Sequence, residues 1–211
     1  MTVRATLVTD GASDVILVRI LEWLVGQLTP AEIEITWADL RGRRAVPEGL
    51  SERIAVAVDL YPCGLIFVHR DAEGQDSLLR YAEIQAANHT ACPHVCIVPI
   101  RMQEAWLLHD EAALRRAADR PSGTEALNLP PANRWESLAD PKATLYSALR
   151  TARGATGRRA RSFRPGRAAH RLAELVTDWS PLRELTAFQR LERDTRAALT
   201  NLGLMAGGPR A

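Results

Sequence analysis

The chain has 211 residues, of which 46% are hydrophobic, as is typical of a single folded domain with a substantial core. No apolar run approaches the ~20 residues that a membrane-spanning helix needs, and no signal-peptide pattern opens the chain. Its three cysteines, Cys63, Cys92 and Cys96, are too few and odd in number for a disulfide framework. We therefore expect a cytoplasmic protein that does not associate with membranes.

Charge is distributed unevenly along the chain, although the formal net charge is only +2. Residues 1–140 sum to −7, whereas residues 141–211 sum to +9. No carboxylate lies between Asp140 and Glu174, a stretch that contains eight arginines. Because arginine pairs bidentately with phosphate, this stretch could bind a polyanion. It could also pair with the acidic part of the same fold.

Strand and helix patterns alternate from residue 4 to residue 118. Short apolar runs rich in β-branched residues predict strands near 4–9, 33–38, 64–70 and 94–100. Amphipathic periods predict helices over 15–27, 50–60, 77–88 and 104–118. This alternation favours an α/β fold with a mainly parallel four-stranded sheet that is flanked by helices on both faces.

The pattern changes beyond Pro121. Helical stretches are predicted near 142–152, 166–177 and 182–201, and no strand is predicted there. We therefore expect an α/β core over residues 1–120 and a helical C-terminal extension over residues 121–211, packed on the same domain.

Acidic side chains follow three of the predicted strands. Asp10 and Asp14 come after the first strand, Asp71 and Glu73 come after the third, and Glu104 comes after the fourth. Ligands of open parallel sheets bind beyond the carboxyl ends of the strands. Carboxylates gathered there repel one another unless a cation neutralises them, and Mg²⁺ prefers their hard oxygen atoms. Taken singly, each acid could be a turn or cap residue, but their shared position predicts a divalent-metal site acting on phosphates.

The order of these motifs resembles a Toprim-like bacterial family of unknown function, related to the Toprim domains of OLD-family nucleases, topoisomerases and primases. The segments that carry the resemblance are Asp10-Gly11, Asp71-Ala72-Glu73, Glu104-Ala105-Trp106, Asp140-Pro141-Lys142 and the C-terminal helix that follows Pro181-Leu182. Together they cover nearly the whole chain. The resemblance implies a Rossmann-like fold of the Toprim type.

The resemblance also implies phosphodiester cleavage or transfer that depends on Mg²⁺ or Mn²⁺. It assigns Asp10, Asp71 and Glu73 as catalytic metal ligands, with Asp14 and Glu104 at a second metal position. Toprim proteins usually have Glu at the first of these positions and Asp at the third. Both exchanges keep a carboxylate and change its reach by one methylene group.

Basic side chains are expected to assist this site. Lys142, the only lysine in the chain, could stabilise charge on a phosphate in the transition state. It could equally be a solvated residue in the first turn of a helix. His69 and Arg70, beside the acidic strand end, could contact substrate or lie at the rim. The arginines expected to bind a nucleic-acid backbone are Arg158, Arg159, Arg161 and Arg164.

Three classes of function are compatible with the sequence. The first is a Toprim-like, metal-dependent nuclease or related phosphoryl-transfer enzyme acting on nucleic acid, in DNA repair or phage defence. The second is a non-catalytic binding or regulatory module on the same fold, because fold does not imply function. The third, a nucleotide or small-molecule binding protein, is disfavoured because the chain lacks both glycine-rich phosphate-loop motifs. Self-association and a partner protein both remain open.

Overall fold

Four strands form one sheet in the computed structural model, which describes residues 2–41 and 47–205. The strands are β1 (Val3–Val8), β2 (Ile33–Trp37), β3 (Leu65–His69) and β4 (His94–Ile97). Every neighbouring pair is parallel, and the spatial order is β2-β1-β3-β4. The expected α/β fold with a parallel four-stranded sheet is confirmed, and it is consistent with a Rossmann-like architecture.

Helices flank both faces of the sheet. The α-helices of the described residues are α1 (Leu17–Leu28), α2 (Leu50–Leu60), α3 (Ser77–Ala87), α4 (Glu111–Ala117), α5 (Pro141–Arg153), α6 (Gly157–Ser162), α7 (Pro165–Leu175) and α8 (Thr186–Asn201). Short 3-10 helices occupy Ala12–Ile16, Gln103–Leu107, Ala132–Ser137 and Ser180–Glu184. Across the described ranges, none of these helices combines the length and the apolar character needed to cross a membrane.

The sheet is buried on both faces because side chains alternate along each strand. In β3, Leu65 and Phe67 enter a large core formed with α1, α4, α5, α7 and α8. Ile66 and Val68 enter a smaller core formed with α2 and α3. Every residue of β3 is buried, which explains why its first four residues, Leu65 to Val68, form a continuous apolar run before His69.

The C-terminal helices share the large core with the sheet. Leu145 of α5, Leu172 of α7 and Phe188 of α8 belong to the same hydrophobic cluster as Phe67. Trp106 packs edge-on against Phe188, with 5.7 Å between ring centroids. The expected helical C-terminal region is thus present, and it packs on the α/β core.

Two expected helices are divided, and one extra α-helix is present in the described residues. The helix expected over 182–201 is divided into the 3-10 helix Ser180–Glu184 and α8. The single helix expected over 104–118 is divided into the 3-10 helix Gln103–Leu107 and α4. The division arises because the Asp110 carboxylate accepts a hydrogen bond from the Ala113 amide at 2.8 Å and caps a new helix. The extra helix α6 follows Gly154, which ends α5 in the left-handed conformation with φ of 58°.

Candidate functional site

The strand order brings the ends of β1 and β3 together. The chain runs outward from β1 to β2 and then returns to the opposite side of β1 to form β3. Ligands of parallel α/β sheets bind at such a reversal, beyond the carboxyl ends of the two strands. Asp10 and Asp14 follow β1, whereas His69 and Asp71 lie at the end of β3. The reversal point therefore carries four ionisable side chains.

The loop after β3 is held against the segment after β4. The Arg70 amide donates to the Ile97 carbonyl at 3.1 Å, and the Ala72 amide donates to the Pro99 carbonyl at 2.9 Å. These bonds continue the parallel pairing beyond the regular strands. They fix the backbone of Asp71, which lies between the two paired residues.

A tight turn follows Asp71. Glu73 and Gly74 both have left-handed φ angles, of 54° and 79°. The φ angle of Gly74 favours glycine, and a Cβ atom there would also have to displace the Arg101 guanidinium group, whose Cζ would lie 2.5 Å away. The conformation at Glu73 is one that non-glycine residues seldom adopt, and it costs about 1 kcal/mol or more.

His69 lies between two carboxylates. Its Nε2 is 3.2 Å from Oδ1 of Asp71, and its Nδ1 is 3.4 Å from Oδ2 of Asp14. Burial of the ring alone would lower the pKa of His69, but the hydrogen bonds and charges of Asp14 and Asp71 outweigh it and raise that pKa to about 9. The ring is therefore an imidazolium at neutral pH.

Asp14 is held in its charged form by its neighbours. Burial opposes ionisation, but His69, the Ser13 hydroxyl and the Gly11 amide together lower the pKa of Asp14. The Ser13 hydroxyl donates to Oδ1 at 2.8 Å, and the Gly11 amide donates to Oδ2 at 3.0 Å. Asp14 and His69 thus form a buried ion pair with supporting hydrogen bonds.

Gln103 connects the same two acids from the other side. Its side-chain Nε2 donates to Oδ1 of Asp14 at 2.6 Å, and its backbone amide donates to Oδ1 of Asp71 at 3.2 Å. The side-chain oxygen Oε1 of Gln103 is buried and has no hydrogen-bond partner in the described residues. A buried carbonyl oxygen without a partner costs free energy, so a cation or a donor on a ligand would be favourable there.

A second ion pair lies beside this cluster. Lys142, in the first turn of α5, places Nζ 3.0 Å from Oε1 of Glu104. The Glu104 side chain is only 5% exposed, whereas that of Lys142 is 38% exposed. Burial alone would lower the pKa of Lys142, but Glu104, Tyr146 and Asp14 raise it. Lys142 is therefore charged and can still reach solvent.

Asp10 lies among arginines. Its Oδ1 is 2.6 Å from Nη1 of Arg53, and its Oδ2 is 3.0 Å from Nε of Arg70. Arg70 also lies 3.1 Å from Glu83. The expected substrate-binding residue Arg70 is thus positioned at this edge, where it pairs with two carboxylates.

The five predicted metal ligands all lie at this edge of the sheet, and each has a cationic neighbour. Asp14 and Asp71 share His69, Glu104 pairs with Lys142, Asp10 pairs with Arg53 and Arg70, and Glu73 lies 3.6 Å from Arg80. Within residues 2–41 and 47–205, no group of three or more His, Cys, Asp or Glu side chains is arranged to hold a metal ion. The assignment of these five residues to a metal site stays a prediction.

Asp71 is the acid best placed to bind a ligand. Both of its side-chain hydrogen bonds end on Oδ1, and none to Oδ2 is found in the described part of the chain. The side chain is 23% exposed. The carboxylate oxygen Oδ2 of Asp71 and the partnerless Oε1 of Gln103 are hard donors of the kind that Mg²⁺ and Mn²⁺ prefer, so the donor chemistry fits such a cation.

Part of the arginine-rich segment between Asp140 and Glu174 packs against the same edge through α7. Helix α7, which follows Arg164, contacts both 3-10 helices of the edge, Ala12–Ile16 and Gln103–Leu107. Tyr146, one helical turn after Lys142, approaches the start of α7 so closely that a Cβ at Gly166 would lie 3.3 Å from its hydroxyl. Of the predicted arginines, Arg158, Arg159, Arg161 and Arg164 make no ion pair with a carboxylate of the described residues.

The chain matches no family model, no curated protein and no solved structure. The Toprim resemblance therefore stays a prediction from the sequence motifs.

The central role of two residues of the cluster was not predicted: Gln103 was missed altogether, and His69 was expected only to contact substrate or lie at the rim. His69 is the last residue of an apolar strand run, and Gln103 immediately precedes the Glu104 motif. The signal for His69 is a titratable residue at the end of a run that is otherwise apolar. Gln103 gives no such signal, because its contact with Asp14 spans 89 positions in the sequence.

Proposed function

We propose that this protein is a Toprim-like enzyme that cleaves or transfers phosphodiesters of nucleic acid with the help of Mg²⁺ or Mn²⁺. The observation that carries the proposal is the Asp14–His69–Asp71 cluster at the reversal point of the sheet. Buried ionisable groups with shifted pKa values concentrate at functional sites. An available Asp71 oxygen and a partnerless Gln103 oxygen beside them support a site that takes up a cation.

The residues of the site have distinct roles in this proposal. Asp71 holds the cation, with Asp10 and Glu73 as further ligands, and Asp14 and Glu104 serve a second position. A cation held there supplies an activated water and neutralises charge on the phosphate. His69 binds Oδ1 of Asp71 and fixes the rotation of that carboxylate, so Oδ2 stays available.

Lys142 serves the phosphate rather than the cation. Its ammonium group has three donors, and its ion pair with Glu104 occupies one of them. Because the side chain is partly exposed, a second donor can bind a phosphate oxygen as negative charge develops. Glu104 orients Lys142 toward the edge of the sheet.

Nucleic acid is the proposed substrate because part of the arginine-rich segment packs against this edge through α7. We place the protein in the cytoplasm, where its three free cysteines would stay reduced. DNA repair and phage defence are the proposed settings for such an activity.

A second candidate function is a non-catalytic binding or regulatory module. The observation that favours it is the double ion pair of Asp10 with Arg53 and Arg70. An acid that is neutralised inside the fold needs no cation. In this case the sheet edge binds a phosphate group through Lys142 and performs no chemistry.

Metal binding by Asp71 separates these candidates. We expect the parent protein to bind Mn²⁺ in calorimetry and Asp71→Ala to lose affinity at least about ten-fold, because it removes the most available carboxylate. Asp59→Ala is the matched control, since Asp59 is exposed at the end of α2, near the opposite edge of the sheet. Equal Mn²⁺ affinity in the parent and in Asp71→Ala would show that the assignment is wrong.

Cleavage of a labelled oligonucleotide completes the test. The enzyme hypothesis requires cleavage that depends on Mn²⁺ or Mg²⁺ and is lost in Asp71→Ala but retained in Asp59→Ala. Metal binding or oligonucleotide binding without any cleavage would favour the non-catalytic module.

A further inference from the structure

We propose that a cavity between α4, α6 and α7 binds the phosphate groups of a nucleic-acid backbone, and that Arg159, Arg164 and Arg167 are the residues that bind them. The inference rests on the proposed function for the identity of the ligand. It goes further because it assigns the binding to one concave surface and to particular arginines, a set that differs from the one expected by charge alone.

The cavity has a volume of about 290 Å³. Five arginines line it, Arg153, Arg159, Arg164, Arg167 and Arg171, together with a single carboxylate, that of Asp119. Such an excess of positive charge around one concave surface raises the local concentration of anions.

Two of the five arginines share the carboxylate of Asp119. Arg153 lies 3.0 Å from Oδ2 of Asp119, and Arg171 pairs with the other oxygen of the same carboxylate. Arg153 also donates to the Ala118 carbonyl at 3.0 Å. These contacts hold Arg153 and Arg171 in the wall of the cavity and use up its only acid.

The other three arginines have no carboxylate partner in the described residues. None of Arg159, Arg164 and Arg167 forms an ion pair with a described residue, and all three are exposed. Like charges placed near one another repel, and a phosphate between them removes that repulsion. The planar guanidinium group matches the geometry of two phosphate oxygens.

Core packing does not explain why these arginines are gathered here. Helix α6, which carries Arg159, has no buried residue. A helix that contributes nothing to the core adds little to stability, yet three of its six residues are arginine. Binding of an anionic ligand would explain why an unburied helix carries three arginines.

The position of the cavity connects it to the sheet edge. Arg164 and Arg167 flank Gly166, which lies against the hydroxyl of Tyr146. Tyr146 in turn lies one turn of α5 after Lys142, whose ammonium group contacts Glu104 at the edge. Helix α5 joins the two places, because Arg153 at its C-terminal end lines the cavity and Lys142 in its first turn reaches the sheet edge.

Arg158 and Arg161 do not line this cavity, although both are exposed in the same segment. Arg150, near the end of α5, is likewise exposed and outside the cavity. These three residues provide a control set with the same charge, drawn from the same part of the chain.

The test compares two triple variants of the full-length chain. One carries Arg159→Gln, Arg164→Gln and Arg167→Gln, and the other carries Arg150→Gln, Arg158→Gln and Arg161→Gln. The probe is a fluorescent mixed-sequence oligonucleotide, single-stranded or duplex, and its binding is measured by anisotropy over a salt series without divalent cations. Thermal melting of each variant is recorded in parallel.

We expect the cavity variant to bind at least about ten-fold more weakly than the parent and the control variant to stay within about three-fold of it. The slope of log K against log[salt] should fall in the cavity variant by ~0.9 for each duplex phosphate that is no longer bound, or by ~0.7 on single strands. Melting temperatures should stay close, because Arg159, Arg164 and Arg167 form no ion pair with a described residue and the bond from Arg164 to the Arg161 carbonyl is exposed.

Several results would overturn the inference. Equally weakened binding in the two variants would mean that net charge attracts the oligonucleotide diffusely. No binding by the parent would show that nucleic acid is not the ligand of the cavity. A lower melting point with an unchanged salt slope would assign the cavity arginines to stability. The proposed function fails separately, because it is tested by Mn²⁺ affinity and metal-dependent cleavage, whereas this binding assay contains no divalent cation.

Discussion

At the scale of single residues, the site is organised by His69. Two carboxylates that meet at the end of β1 and β3 would repel each other, which would raise the pKa of at least one of them. The His69 ring contacts both Asp14 and Asp71 and carries a compensating positive charge. The three groups are coupled, so the pKa of His69 includes the effects of Asp14 and Asp71.

Stability should depend on pH through His69. The pKa of this residue is about 9 in the folded protein and 6.5 in an unfolded chain, so its contribution is complete below pH 6.5 and is lost as the pH rises through 9. The decrease should be on the order of 3 kcal/mol, since one pKa unit corresponds to ~1.4 kcal/mol. Urea unfolding of the parent and of His69→Gln across this range checks it.

His89→Gln serves as the control for this measurement, because His89 makes no ion pair in the described residues. It should keep the pH dependence of the parent, whereas His69→Gln should flatten it. The pKa of Asp14 is shifted in the opposite direction, so its contribution is present above pH 3.8 and is lost as the pH falls below that value. A parent protein of constant stability between pH 6.5 and 9 would contradict the imidazolium assignment.

At the scale of elements, short helices at the carboxyl edge of the sheet carry the site. The 3-10 helices Ala12–Ile16 and Gln103–Leu107 supply Asp14, Gln103 and Glu104, and the first turn of α5 supplies Lys142. Asp140 starts α5 by accepting a hydrogen bond from the Ala143 amide at 2.8 Å, and Pro141 suits the first helical position. The Lys142–Glu104 pair then joins α5 to the segment after β4.

Breaking this pair should destabilise the protein. Lys142→Met leaves the buried Glu104 carboxylate without its partner, and we expect the free energy of unfolding to fall by about 2 kcal/mol. This is below the effect for a fully buried pair, because Lys142 is partly exposed. Adding Glu104→Gln to the same chain should restore much of the stability, since no unpaired buried charge remains. Urea unfolding of the single and double variants measures both effects.

The Arg183–Glu192 pair provides a comparison, because it is closer to the surface. Arg183→Met should cost less than about 1 kcal/mol. If Lys142→Met cost no more than Arg183→Met, the Lys142–Glu104 pair would not join the two elements as described.

At the scale of the whole molecule, the acidic residues 1–140 and the basic residues 141–211 contribute side chains to the same hydrophobic core. Among the described residues, only two of the eight arginines between Asp140 and Glu174 pair with acids, Arg153 and Arg171, and both pair with Asp119. The sequence left two alternatives for these arginines, pairing within the fold and binding of a polyanion. Arg153 and Arg171 pair within the fold, and the others are available to a ligand.

The shared core predicts one cooperative unfolding transition. Phe67 and Trp106 lie in the same cluster as Leu145, Leu172 and Phe188 from the C-terminal helices. A chain truncated after residue 120 would expose this apolar surface, and we expect it to bind a hydrophobic dye and to lack a cooperative urea transition. Circular dichroism and dye fluorescence of both chains provide the measurement. Cooperative unfolding of the truncated chain would show that the α/β core is an independent domain.

Much of the local structure could be predicted from the sequence. The bounds of α2 matched the expectation, and those of α3 differed by one residue, because helical period and capping signals such as Asp76 act over a few residues. The apolar runs identified all four strands. The position of the acids at one edge also followed from sequence, since parallel strands all end on the same side.

The contacts that make the site required the tertiary structure. The sequence does not contain the strand order, yet that order places β1 beside β3 and brings Asp14 to His69. The bond from Gln103 to Asp14 and the choice of cavity arginines likewise join segments far apart in the chain. The physical reason is the distance along the chain over which each interaction acts. Sterics, periodicity and capping act between residues close in sequence, whereas pairing across the fold depends on how whole elements pack.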